Sequence, residues 1–527
     1  MEPTLGPIEL VLLLLIVGAA LSYLARWLRI AAPILLVLGG VVLGFALNLP
    51  EHALELEPDL VFLLFLPPIL FAAAYFTPIR DVRANRRPIL LLAIGLVLFT
   101  TVVVGVVASA AIPGLGLAAA LTLGAIVAPP DAVAATAIFQ RLGVPRRIVT
   151  ILEGESLIND ASALIAYRVT SAVALGLISF SLVDATIEFV IVGVGGIAVG
   201  VIAGLVVTRA LFRTADPILE IVVSLIAPTA SFFVAEELGV SGVLAVVVAG
   251  LITGRKAARV FSPDARLLGL GAWQIVIWTI NTFVFMLIGL QLPSIMDGLS
   301  DVPRSDLLWY GFVVSLTVIV ARFVWVFPAT YLPRWLSKSI READPAPPAR
   351  AIVIISWAGM RGVVSLAAAL ALAPDFPQRS LILYLTFCVI LATLVGQGLT
   401  LPWLIKALKV TAATESAEAE EMHARLAASE AALQRLEDLR ADYPDHLPLI
   451  DELRDELEHE AGHVMVSPGT TLDEAEQELL DHRAIRAALL VAQREAVIHL
   501  RDEGVINDET LRKIERDLDL EALRAGA

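Results

Sequence analysis

One cysteine in 527 residues, Cys388, excludes an internal disulfide framework. Charge is scarce too: Asp, Glu, Lys and Arg together supply only 17% of the chain, well below a soluble globular composition. Gly-rich phosphate loops and zinc-type Cys/His spacings are both missing, which leaves no motif for a nucleotide or a resident metal and no cofactor to expect. The first apolar block, beginning at Ile8, has no Lys or Arg ahead of it and no convincing cleavage site. It therefore reads as a retained helix rather than a signal peptide.

What fills the chain instead is hydrocarbon. Hydrophobic residues make up 58% of the sequence, and mean hydropathy is +0.81. Residues 1–410 arrive in apolar blocks long enough to cross a bilayer roughly 30 Å thick as helices. Residues 411–527 are polar and rich in Glu, Ala, Leu and Arg. Charge divides at the same place. The first part holds 26 Lys+Arg against 24 Asp+Glu, a net of +2, and the tail holds 12 against 29, a net of −17. The overall −15 therefore belongs to the tail.

The blocks read as thirteen spans: 8–25, 30–48, 59–77, 88–112, 115–138, 150–179, 184–208, 217–237, 239–254, 268–291, 306–331, 351–373 and 380–405. Basic residues are nearly absent from alternate loops. Loops after odd-numbered spans carry 21 Lys+Arg, and those after even-numbered spans carry only Arg304 and Arg379. The positive-inside rule then places the N-terminus outside and the acidic tail in the cytoplasm, in a multi-pass protein of the cell membrane.

Two spans are broken where a charge sits. Span 5 contains Ala-Pro-Pro-Asp, with Pro129, Pro130 and Asp131, and each proline removes a backbone donor from the helix. Span 12 contains Gly-Met-Arg-Gly, with Gly359 and Gly362 flanking Arg361. An offset of seven spans reverses orientation, so the two can be partners in an inverted repeat, a pattern that points to a midplane substrate site. Pro67-Pro68 in span 3 has no charge nearby and reads as a plain kink.

Asp131, Glu155, Asp160, Arg168, Arg322 and Arg361 lie deepest, with Glu153 and Glu236-Glu237 closer to span ends. A charged side chain at the bilayer centre costs about 2.5–3.5 kcal/mol even on insertion scales, so such residues pair or function. Glu155 and Asp160 are five residues apart, about 140° around a helix, and should face different partners. Asp131 and Asp160 lie on neighbouring spans at similar depth. Carboxylates with amide, hydroxyl or backbone oxygens suit an alkali cation, and a proton can occupy the same carboxylate. Competition between the two for one site is the minimum machinery of exchange.

The runs Ala-Pro-Pro-Asp-Ala-Val-Ala-Ala, Gly-Glu-Ser-Leu-Ile-Asn-Asp-Ala and Gly-Met-Arg-Gly-Val-Val-Ser-Leu-Ala closely resemble the NhaP/NHE branch of the monovalent cation/proton antiporters. The resemblance covers residues 8–410. It implies an all-α polytopic membrane protein with inverted repeats, spans 5 and 12 crossing at their breaks, and a homodimer embedded in lipid. It makes Asp160 the ion- and proton-binding carboxylate, with Asp131 and Ser156 contributing to a Na+ site. Asn159 would stabilise that site and mark the electroneutral branch. Glu155 and Arg322 would form a structural ion pair, and Arg361 would balance charge at the crossing. One departure stands out: relatives with Thr-Asp-Pro at the break have a threonine where this chain has Pro130, leaving only a backbone carbonyl there.

By that resemblance, spans 4–6 and 11–13 form a mobile core that carries Asp160 between the membrane faces by elevator-type alternating access. Na+, and Li+ with it, would exchange one for one with H+ in pH and sodium homeostasis; the alternative is a K+/H+ exchanger on the same scaffold. The protein would not be an enzyme: the Tyr-Asp and Gly-x-Gly-Asp motifs of intramembrane aspartyl proteases are absent. The tail, 411–527, reads as a helical cytoplasmic extension for regulation or dimer support, with no ligand or partner identified for it and no sign of nucleic-acid binding. Its histidines (His423, His446, His459, His463, His482 and His499) read as solvated.

Overall fold

The computed structural model describes residues 7–47, 61–179, 181–214, 216–410, 415–464, 489–500, 503, 514 and 517–521. Two compact units emerge, Met1–Ala412 and Ala413–Ala527. Among the described residues every regular element is a helix.

Among the described residues of the first unit, seven helices are long and apolar enough to cross a membrane: Glu9–Leu28, Arg86–Ala111, Leu182–Arg213, Pro217–Glu237, Pro263–Asp297, Arg304–Leu336 and Arg379–Leu408. Length and composition thus mark fewer crossings than thirteen, for identifiable reasons. The helix Arg146–Ala174 is long but carries Glu153, Glu155, Asp160 and Arg168. The apolar stretches at spans 5 and 12 are split into Leu117–Val127 with Val133–Leu142, and Ala349–Trp357 with Val363–Leu370. Several helices also outrun their apolar blocks. The block at 184–208 lies inside Leu182–Arg213, and the block at 306–331 lies inside Arg304–Leu336. Hydropathy marks only the stretch bounded by hydrocarbon, whereas the backbone stays helical until a cap stops it.

Those caps are local chemistry. Ser181, Asp216, Ser241 and Ser262 each accept a hydrogen bond from a first-turn backbone N–H, satisfying a donor that the helix leaves orphaned. Pro217 and Pro263 sit in first turns, where a missing N–H costs nothing. Gly143 ends the helix Val133–Leu142 with φ +62°, in the left-handed region. The Pro67-Pro68 pair also falls in the first turn of a helix, Leu66–Phe76, directly after a π-helical turn at Val61–Phe65.

Packing rests on close backbone approach. Gly196, Gly200 and Gly204, four residues apart on Leu182–Arg213, face the helix Gly242–Val260. A Cβ at Gly200 would lie 2.6 Å from the Ala245 carbonyl oxygen. Lipid tails are as apolar as the helices, so such tight seams supply association energy that the hydrophobic effect cannot. Outward-facing positions are apolar, and exposed Trp27, Trp335 and Trp403 lie beside the basic residues Arg26, Arg334 and Lys406, as in an interfacial aromatic belt.

The second unit contains Glu415–Asp442 and Leu447–Val464, joined through a short turn at Pro444–His446. Arg440 Nη2 meets Asp451 Oδ1 at 2.8 Å across that turn. His499 is exposed and lies 3.1 Å from exposed Glu503. His482 and most of the expected helical tail beyond residue 464 lie outside the described residues, as do the side chains of His423, His459 and His463.

Replacing Gly200 by leucine should overpack the seam at a cost of about 1–3 kcal/mol, read as a lower thermal midpoint of the detergent-solubilised protein. An unchanged midpoint would mean that the two helices can part without loss.

Candidate functional site

The two helix interruptions meet. Helix Leu117–Val127 gives way to non-helical backbone at Ala128–Ala132, and helix Ala349–Trp357 gives way at Ala358–Gly362. The backbone N–H of Asp131 donates to the Met360 carbonyl at 2.7 Å. A Cβ at Gly362 would stand 2.1 Å from Asp131 Oδ2, so only glycine permits this approach. Asp131 then caps both resuming helices. Its Oδ1 accepts from Val133 N at 2.9 Å, and its carboxylate also accepts from Val363 N. These are the first residues of Val133–Leu142 and Val363–Leu370, where helix dipoles favour negative charge.

Arg361 does the converse. Wholly buried, it donates from Nε to the Val127 carbonyl at 3.0 Å, the C-terminal end of the preceding half-helix, and from Nη1 to Gly359 O. Its own backbone N–H is held by Thr393 Oγ1 at 3.0 Å. Cationic charge therefore lies at a carbonyl end and carboxylate at the amide ends.

Glu155 and Arg322, each 0% exposed, form a two-pronged pair: Nη1 to Oε1 at 2.6 Å and Nη2 to Oε2 at 2.8 Å. Arg322 Nε also donates to Ile355 O at 3.2 Å, tying three helices together. Such geometry satisfies both charges, and breaking it leaves one of them stranded.

Asn159 Nδ2 donates to the Pro130 carbonyl at 3.0 Å, and Ala132 N donates to Ser156 Oγ at 3.4 Å. The helix Arg146–Ala174 is thereby fastened to the first interruption. Asp160, one residue on, differs from all of these. It is 5% exposed and has no hydrogen-bond or ion-pair partner among the described residues. It borders a cavity of about 720 Å3 that Asp131, Ser156 and Ser365 also line. The same cavity is lined by Glu153, Thr150, Gln140 and Arg146, so one face of the Asp160 helix runs along it from its basic end.

The structure thus gathers Asp131, Ser156, Asn159, Pro130 and Asp160 at one interruption, with Arg361 behind it and Glu155–Arg322 alongside. Arg168 is elsewhere. Expected among the deepest charges, it pairs with Glu236 at 2.6 Å with 42% of its side chain exposed. Its partner stands at the end of the helix Pro217–Glu237, away from the interruptions. Thr393 and Ser365 were not singled out. Ser365 lies within the Gly-Met-Arg-Gly-Val-Val-Ser run, whereas nothing local marks Thr393, 32 residues from Arg361.

Residues 11–407 match the family described as "Sodium/hydrogen exchanger, transmembrane". The chain belongs to that family. This exchanger is 34% identical to an uncharacterised Na+/H+ exchanger of Mycobacterium tuberculosis strain H37Rv, over 97% of this chain and 94% of that one. It is also 34% identical to the sodium, potassium, lithium and rubidium/H+ antiporter of Bacillus subtilis, over 74% of this chain and 60% of the relative. Its fold resembles that of the sodium proton antiporter MjNhaP1 of Methanocaldococcus jannaschii at pH 8, with a TM-score of 0.61 and 19% identity across 76% of this chain and 98% of that one. It is accordingly a multi-pass membrane transporter of the cation/proton antiport class and not an enzyme.

Glu155→Ala in this exchanger should lose about 3–5 kcal/mol by stranding Arg322 in the interior. Adding Arg322→Leu to that variant should restore part of the loss, measured as detergent thermal midpoints of the three proteins. A stable but inactive Glu155→Ala would instead make Glu155 a direct participant in transport.

Proposed function

We propose that this exchanger carries Na+, and Li+ with it, against H+ in a one-for-one cycle, with Asp160 as the carboxylate that the two ions share. One observation carries the reading: of the three acids at the interruptions, Asp131, Glu155 and Asp160, it is Asp160 that has no hydrogen-bond or ion-pair partner among the described residues. Glu155 is held by Arg322, and Asp131 accepts from two helix N-termini. One uncommitted carboxylate offers one unit of negative charge, which a single proton or a single alkali cation neutralises. Asp131 and Ser156 would stand beside the Na+ ion, and the charge of Arg361 would offset the acids at the crossing.

Crossing the barrier with Asp160 charged and empty would cost several kcal/mol. That penalty suppresses leak and couples the two fluxes. The spans read as thirteen crossings, with spans 5 and 12 crossed as members of inverted repeats. The matching order of continuous and interrupted helices supports this, as does the loop charge. With the basic loops cytoplasmic, the cavity that borders both Arg146 and Asp160 opens inward. Spans 4–6 and 11–13 would move as an elevator against a dimeric scaffold in the cell membrane, with residues 411–527 as a cytoplasmic regulatory or oligomerisation domain. pH and sodium homeostasis is the role this activity would serve.

A K+/H+ exchanger on the same scaffold is the second reading. Pro130 brings no hydroxyl, its carbonyl already accepts from Asn159, and the Bacillus subtilis relative is named for potassium as well as sodium.

In everted vesicles, Asp160→Asn should abolish Na+-induced dequenching of a pH-gradient dye while the protein still inserts; retained dequenching would sink the assignment. With the wild-type protein in proteoliposomes, clamping the membrane potential with K+ and valinomycin should leave the Na+/H+ rate within about twofold, since no net charge moves. A Na+, Li+ and K+ series decides between the two readings.

A further inference from the structure

Two hydroxyls beside the interruptions are already engaged. Ser156 Oγ accepts from Ala132 N, and Thr393 Oγ1 both accepts from Arg361 N and donates to Val389 O. Elsewhere the buried helical hydroxyls of Thr101, Ser231, Thr253, Ser356 and Thr386 return a bond to the carbonyl four residues back. Ser365 does not. It is 1% exposed, its Oγ has no hydrogen-bond partner among the described residues, and it lines the cavity that Asp160 borders.

Ser365 stands directly after the helix break. Ser365 stands in the first turn of Val363–Leu370, so the residue four back is Arg361, inside the non-helical stretch. The usual acceptor for a serine on a helix is therefore missing. The same first turn is fixed to the site, because Val363 N bonds Asp131 and Gly362 lies against it. A buried hydroxyl without a partner is costly unless something polar comes to it. What comes into this cavity, on the reading that Asp160 holds the transported ion, is an alkali cation.

We propose that Ser365 Oγ is a ligand of the transported cation, supplied by the second interrupted helix. It takes the place of the side-chain oxygen that Pro130 cannot provide at the first. A hard cation gathers several oxygens around it, whereas a proton on Asp160 needs none beyond the carboxylate. Ser365 therefore tilts the competition for Asp160 toward the cation. The proposal rests on the assignment of Asp160 made above, and the test separates the two.

Wild type, Ser365→Ala, Ser365→Cys and Ser365→Thr are reconstituted in proteoliposomes, and the Na+ dependence of H+ exchange is measured. The alanine variant should raise the apparent KM for Na+ about tenfold, with the loss concentrated in KM rather than in the saturated rate. The cysteine variant keeps the volume but offers a soft, poor ligand, and should show the same rise even if alanine proves unstable. Threonine should recover most of the affinity because it keeps the hydroxyl. An apparent KM within twofold of wild type in both the alanine and cysteine variants overturns the proposal. So does a fall in saturated rate alone, which would mark a packing role. Absence of cation/proton exchange in the wild type would fall on the reading of Asp160, whereas exchange with an unmoved KM falls on Ser365 only.

Discussion

Backbone that leaves a helix inside a membrane must find partners within the protein, and the contact between Asp131 and the second interruption is where this chain meets that demand. Two stretches of non-helical backbone lie against each other, each supplying what the other lacks. The Met360 carbonyl takes the Asp131 amide, Asp131 takes the first amides of both resuming helices, and Arg361 covers a carbonyl end. Remove that mutual satisfaction and the prolines of span 5 would be a defect. Because of it, four half-helices end near one place, with charged groups already matched to their termini.

The matching decides which charge is left without a partner. Buried acids and bases around the crossing are consumed in structural roles, one on helix amides, one on Arg322, one on backbone carbonyls. The fastening of Asn159 to Pro130 and of Ser156 to Ala132 ties the helix that carries Asp160 to the same crossing. Asp160 thus stands on a rigid support while its own carboxylate stays uncommitted. Rigidity and freedom are separated by a single residue along one helix.

Much of this was legible beforehand, and the rest was hidden for physical reasons. Pro-Pro-Asp and Gly-Met-Arg-Gly announce interruptions because proline and glycine act locally, within a turn. Glu155 and Arg322 are 167 residues apart, and their pairing came with the family resemblance rather than from spacing. Asp131 was read as an ion ligand alone. Its bond from Val133 is a local cap, but its service to Val363 depends on a three-dimensional approach that only Gly362 permits, and no pattern in one stretch of sequence encodes that. Arg168 falls outside the site because its partner, Glu236, is 68 residues away on another helix, which no local pattern marks. Helix ends such as Arg213 and Leu336 were missed because hydropathy stops at the hydrocarbon and hydrogen bonding does not.

The bond from Asn159 to Pro130 bears on how this architecture can evolve. Asparagine and aspartate have the same shape, and their exchange looks like the simple gain of one negative charge. Here the amide nitrogen is a donor facing a backbone carbonyl, so a carboxylate would set lone pair against lone pair at 3.0 Å in a buried place. A lineage exchanging Asn159 for an ionised aspartate would therefore have to remodel the chain around Pro130 at the same time. The identity of residue 159 is thus guarded by a carbonyl oxygen in the neighbouring interruption as much as by its own side chain.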